Sequence, residues 1–128
     1  RHMTNIDHSQ IVTVAMKQAR LRTARQNAAK AECARRIEAV VDLATQMNLA
    51  AALSAHTADT QRGTAPSDAT AISGLSDQDI ATLLEMRRWI TGMRQACARA
   101  ADAPDEPPGA DDHWPDPPAA LAALAARF

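Results

Sequence analysis

Apolar positions recur along the chain in two helical seams, separated by polar, turn-rich sequence. From about Asp7 to Ala58 there is neither proline nor glycine, and Ala, Arg, Gln, Leu and Met are frequent. That stretch predicts one long helix over about 7–58, with Asp7 or Ser9 available to cap it. Its second half carries a heptad: Cys33, Ile37, Val40, Ala44, Met47 and Ala51. Alternating steps of four and three hold one face toward a partner helix. The first half follows another register, Val14, Leu21, Ala24, Ala28 and Ala31. The mismatch predicts a phase shift or break between about Gln26 and Cys33. The weakly apolar first half is expected to project from the body or to pack only within an oligomer.

The connector, 59–76, is punctuated by Gly63, Pro66 and Gly74 among Thr, Ser and Asp. It is long for a helix–helix link, and such loops are usually functional or mobile. A short helical turn can follow Pro66, capped by Ser67 or Asp68. A second helix is expected over about 77–101. Ser76 is its N-cap, and Asp79, three residues on, completes an acidic capping box. Leu75 and Ile80 stand at the positions of a hydrophobic staple. The seam of this helix is Leu83, Met86, Ile90, Met93, Cys97 and Ala100. Gly92 either weakens the helix, by ~1 kcal/mol relative to Ala, or admits another helix beside Trp89.

Beyond Ala103, six of the seven prolines fall between Pro104 and Pro118, so 104–118 is expected to be an extended, acidic arm. Trp114 lies within it and is expected to anchor the arm in a groove. Asp116, with Pro117 at the first helical position, can cap a short terminal helix at 119–128, whose Leu121, Leu124 and Phe128 share a face. That helix is too short to hold without a docking surface. The expected architecture is all-α: a long helix, a polar connector and a second helix form an αα-hairpin or coiled-coil-like bundle, followed by the Pro-rich arm and the terminal helix. The hairpin would set Cys33–Ala51 against Leu83–Ala100. Residues 4–103 form the helical domain. Residues 1–3 look like a cloning scar ending on a start Met.

Composition thins this core. Apolar residues make up 46% of the chain, but much of that is alanine, and the aromatics are Trp89, Trp114 and Phe128 alone. Alanine buries little area, so helix pairing is expected to be supplemented by homo-oligomerisation through the same seams. The seam residues that would serve self-association and protein binding are Cys33, Ile37, Val40, Met47, Leu83, Met86, Trp89, Ile90 and Met93. Cys33 and Cys97 fall on apolar faces and read as buried free thiols.

A net charge of −1 conceals an asymmetry. Lys17, Arg20, Arg22, Arg25, Lys30, Arg35 and Arg36 share their stretch with one acid, Glu32. Asp102, Asp105, Glu106, Asp111, Asp112 and Asp116 share theirs with no Lys or Arg. The two segments can neutralise each other within a subunit or between subunits. The basic run also permits contacts with an acidic partner or with nucleic acid through Lys17, Arg20, Arg22, Arg25, Arg35 and Arg36, although no helix-turn-helix or basic-zipper pattern accompanies it.

The sequence lacks the motifs of common catalytic sites. His8, His56 and His113 have no metal-ligand spacing, and there is no glycine-rich phosphate loop or G-x-S-x-G elbow. The cysteines form no C-x-x-C. Asp111-Asp112-His113 reads as a solvated acidic loop, and His56 as a helix-dipole partner. No enzyme activity, metal or cofactor is expected. No apolar run approaches the ~18 residues of a membrane span, so no membrane partner is expected either.

Three stretches carry a resemblance. They are Lys30-Ala-Glu-Cys-Ala-Arg-Arg-Ile37 followed by Gln46-Met47-Asn48-Leu49, Leu84-Glu-Met-Arg-Arg-Trp89 followed by Met93-Arg94, and His113-Trp114-Pro115-Asp116-Pro117-Pro118. In this order, over about residues 30–118, they resemble small accessory proteins encoded beside tail-fibre genes of tailed phages and prophages. The resemblance implies a non-enzymatic virion, tail or tail-fibre assembly protein. Such a protein would bind itself and a tail or tail-fibre protein, in the host cytoplasm or incorporated in the virion. The alternative is a small helical regulatory or nucleic-acid-binding protein using Lys17–Arg36, a segment whose first part the resemblance does not cover.

Overall fold

The long helix expected over 7–58 is two helices, and the break lies where no glycine or proline marks it. The computed structural model describes residues 2–103 and 107–128, with side chains from residue 13 onward. Within these, α1 spans His2–Val40, α2 Leu43–Gln61, α3 Pro66–Ser73, α4 Asp77–Asp102 and α5 Leu121–Ala125, with one 3-10 turn at Asp111–His113. The fold is all-α, with no strand among the described residues. Among the described residues no helix is long and apolar enough to cross a membrane.

α1 runs unbroken through Gln26–Cys33, where a phase shift was expected, and ends at Val40. Among the described residues the first-half register is not covered, since Val14, Leu21, Ala24, Ala28 and Ala31 are all exposed. With that register uncovered, no competing face turns the helix, and propensity carries it through. Asp42 then leaves the helix at φ −70°, ψ 169°, and its carboxylate accepts the Thr45 N–H at 2.7 Å as the N-cap of α2. Val41, beside it, is buried. The break resets the helical phase. Leu49 turns into the core with Ala52 and Leu53 against it, while Ala44 and Ala51 face outward and Met47 is 73% exposed.

The hairpin therefore involves α1 and α4 rather than the whole of Cys33–Ala51. Arg25 Nε reaches the Ala101 carbonyl at 3.5 Å, and Cys33 Sγ reaches that of Met93 at 3.7 Å. Eight residues forward on α1 match eight residues back on α4, so the helices run antiparallel and in step. Small residues line the outer end of this contact, where Ala29 is buried against Ala100 and Ala101. Toward the middle lie Cys33, Trp89, Met93 and Ala96.

α2 turns aside to pack with α3. The connector is accordingly shorter than 59–76. α2 continues to Gln61, and α3 starts with Pro66 in its first turn and Ala65 as an N-cap without a side-chain bond, not with Ser67 or Asp68. Proline's fixed φ suits that position. Gly74, at φ 77°, ends α3 in the left-handed conformation. Ser76 Oγ then accepts the Asp79 N–H at 3.1 Å, and the Asp79 carboxylate accepts the Ser76 N–H at 3.0 Å, closing the capping box of α4. Leu75, just before it, is buried with Leu49 and Leu83.

The terminal helix is shorter than 119–128 and starts later. Its N-cap is Ala120, without a side-chain bond, and neither Asp116 nor Pro117 belongs to it. Pro117 and Pro118 lack N–H groups, and each biases the residue before it toward extended backbone, so the chain turns only when the Leu121 N–H reaches the Pro118 carbonyl at 3.1 Å.

Candidate protein-binding surfaces

Three groups of residues were expected to meet other chains: the heptad seams, the Trp114 arm and the basic stretch of α1. Most of the seam is already used within the chain. Cys33, Leu83, Trp89 and Met93 are buried in its own core, and Ile37, Val40, Met86 and Ile90 are packed partly buried against it. A side chain enclosed by its own chain offers little to a second one. Met47 is the exception. It lies one turn from Leu43, itself 62% exposed, on the outer face of α2.

The arm is likewise docked on its own chain. Trp114 is 6% exposed, and its indole N–H donates to the Pro108 carbonyl at 2.7 Å. Trp89, on α4, donates its indole N–H to the Pro115 carbonyl at 3.1 Å. His113 Nε2 lies 2.7 Å from the Ala96 carbonyl; a carbonyl only accepts, so Nε2 carries the proton there. The imidazole meets the Trp114 ring edge-on, with centroids 5.3 Å apart. Arg36, from α1, stands over the same indole at 5.7 Å and donates to the Gly109 carbonyl at 3.2 Å and to Asp111 at 2.8 Å. The arm thus straps the α1–α4 pair. Asp111-Asp112-His113 forms part of that strap, and no cluster of metal-ligating side chains occurs among the described residues. Leu121 and Leu124 are buried, and Phe128 is packed partly buried near Gly74.

Gly92 neighbours the strap rather than another helix. A Cβ placed there would lie 3.5 Å from Pro115 Cγ, an ordinary contact. Two tethers escaped sequence reasoning. Arg127 donates to both Asp79 oxygens, at 3.1 and 3.0 Å, and to the Gly74 carbonyl at 2.8 Å, joining the chain end to the start of α4. The Arg127 bond, with the Ser76 N–H, lowers the Asp79 carboxyl below its ordinary range. His56 Nδ1 lies 3.0 Å from Ser73 Oγ, tying α2 to α3 instead of merely facing a helix dipole. Neither pair has a sequence spacing that announces it.

The basic stretch divides in two. Arg35 Nε donates to Glu32 at 3.0 Å and Arg36 Nε at 2.7 Å. The Arg35 bond, opposed by desolvation and aided by Arg36, holds the Glu32 carboxyl down at about 2. Arg25 is partly buried against the end of α4. Lys17, Arg20 and Arg22 are exposed, and among the described residues none has an ion-pair partner. They stand on a stretch, Thr13–Ala24, in which every side chain is exposed, including Val14 at 53%, Met16 at 51% and Leu21 at 56%.

Elsewhere, a shallow groove of ≈ 230 Å³ between α2 and α4 is lined by Leu49, Leu53, Leu83 and Met86, with Arg87 as its one charged side chain. No protein family, curated protein or solved structure matches this chain.

Proposed function

We propose that this chain is a non-enzymatic assembly protein of a phage or prophage tail or tail fibre, which joins other chains by helix association in the host cytoplasm or in the particle. The observation that carries the association is Thr13–Ala24. Every side chain of this stretch is exposed, and three large apolar ones are about half exposed. An isolated helix of that length is marginal in water, and burial of an amphipathic face is what usually stabilises one. Most of the seam and the described part of the arm are enclosed. The exposed large apolar side chains elsewhere, Leu43, Met47, Ile72 and Leu84, are scattered over α2, α3 and α4, whereas Val14, Met16 and Leu21 stand together on one stretch. The tail setting is supported by the resemblance of the three motifs over about residues 30–118.

Amine crosslinking tests the reading directly, because the chain has two lysines, Lys17 and Lys30, and both lie on α1. The full chain is to be co-purified with the products of the genes that neighbour its own, among which tail or tail-fibre proteins are expected. The expected result is a defined complex, with crosslinks from Lys17 to the partner. Absence of a complex, or a complex in which Lys17 stays uncrosslinked, would count against it. A second reading, nucleic-acid binding, is favoured by one observation: Lys17, Arg20 and Arg22 face solvent without an acid among the described residues.

A further inference from the structure

The projecting part of α1 has an unusual distribution of charge. No acid occurs between Asp7 and Glu32, while Lys17, Arg20, Arg22, Arg25 and Lys30 do. At about 100° per residue, Val14 and Leu21 stand about 20° apart on the helix surface. On the same wheel Lys17 lies about 50° to one side of that line and Arg20 about 110°, while Arg22 lies about 90° to the other side. The apolar pair thus runs along the centre of a cationic arc. Ala15, Ala19 and Thr23 occupy the far side together with Met16, which lies about 150° from the pair and outside that face.

We propose that Thr13–Ala24 docks as a helix into a groove of a different protein, one with an apolar floor and a rim of carboxylates. The inference rests on helix association being what this chain does, and it names the partner's chemistry. A second copy paired through the same stretch fits poorly. Pairing along the Val14–Leu21 line would set Lys17, Arg20 and Arg22 of one chain beside those of the other. Stable helix pairs place opposite charges at those flanking positions, and this stretch has no acid to place there. Nucleic acid fits poorly for a different reason. Phosphates recruit cations alone, whereas here two exposed apolar side chains occupy the middle of the cationic arc, where they would be pressed against phosphate. A groove with an apolar floor covers Val14 and Leu21, and its acidic rim meets the flanking cations, as in other helix-in-groove complexes.

The probe is a dye-labelled synthetic peptide of about four heptads, with leucine at its seam positions and glutamate at the flanking ones. The full chain is titrated into it and followed by anisotropy at low and high salt. The comparisons are the same peptide with lysine flanks, a short duplex DNA, and sedimentation of the chain alone. The glutamate peptide is expected to bind at least about tenfold more tightly than the lysine peptide or the DNA. Val14→Ser with Leu21→Ser should weaken that binding about tenfold or more at both salt concentrations. Lys17→Glu with Arg22→Glu should weaken it mainly at low salt. All four positions are exposed, and far-UV circular dichroism checks that the fold is retained. DNA bound more tightly than the peptide, and unaffected by the serine changes, would overturn the inference in favour of nucleic acid. Self-association lost in the serine variant, with no peptide binding, would overturn it while leaving helix association intact. A monomer that binds neither peptide nor DNA would remove the support for both.

Discussion

Replacing Trp114 with alanine tests how the arm is held. The side chain is 6% exposed, its N–H is bonded to the Pro108 carbonyl, and Arg36 and His113 meet its ring. Truncating a buried Trp to Ala costs about 3–5 kcal/mol in lost transfer energy and cavity. The lost hydrogen bond, at about 1 kcal/mol, falls within that range, because Pro108 becomes free to bond water once the strap loosens. Set against a stability of about 5–15 kcal/mol for an ordinary domain, the change removes a large fraction. It should lower the melting temperature by roughly 10–20 °C. Trp114→Phe keeps most of the packing and loses the N–H, so about 1–2 kcal/mol is expected. Urea unfolding followed by circular dichroism measures both. Fluorescence adds a local reading, since Trp89 is then the sole tryptophan and its N–H is bonded to Pro115 of the same strap. Release of the strap wets Trp89 and shifts its emission to the red. A loss below about 1 kcal/mol in Trp114→Ala, with Trp89 emission unchanged, would refute the account of Trp114 as the anchor.

Three further outcomes follow from the same packing. Gly92→Ala should stabilise the chain by about 0.5–1 kcal/mol, because a Cβ there meets Pro115 at ordinary contact distance and the unfolded chain loses freedom; a lower urea midpoint would contradict this. Ser76→Ala opens the capping box of α4 and should cost about 1 kcal/mol in the same assay, with Ser76→Asp restoring most of it; equal midpoints for Ser76→Ala and the parent would contradict the cap's role. The Glu32 carboxyl lies at about 2 in the fold against an ordinary 4.5, so its contribution is fully present above about 4.5 and is lost as pH falls toward 2. Asp79, lowered chiefly by Arg127, acts in the same direction. Urea midpoints measured across that range should fall less steeply in Glu32→Gln than in the parent, and parallel curves would show that the Arg35–Glu32–Arg36 cluster contributes nothing.

Much of the local structure was legible because it depends on near neighbours. The capping box needs only Ser76 and Asp79, three residues apart. The long proline-free stretch needs only helix propensity, and the six clustered prolines by themselves end the helical sequence near Ala103. The α2 cap was missed although Asp42 and Thr45 have the spacing for it. An unbroken heptad appeared to continue through them, and periodicity outweighed a single polar residue.

The helical class and the start of α4 were determined by sequence alone, since each follows from propensity or from a bond between adjacent turns. The arm, expected to be extended over 104–118, instead turns at Pro108–Gly109 and coils into the 3-10 turn Asp111–His113, and 104–106 lie outside the described residues. Tertiary structure decided which apolar faces are covered and by what. The seam residues Cys33, Leu83, Trp89 and Met93 cannot be told from an oligomer interface by spacing, because a helix face packs the same way against its own chain or another. The strap resolved this, since Trp114, His113 and Arg36 converge only when distant segments meet over the α1–α4 pair. The same assembly left Thr13–Ala24 uncovered. Its exposure follows from where α4 ends, at Asp102 near Arg25, and that limit is a property of the packed chain rather than of the segment itself.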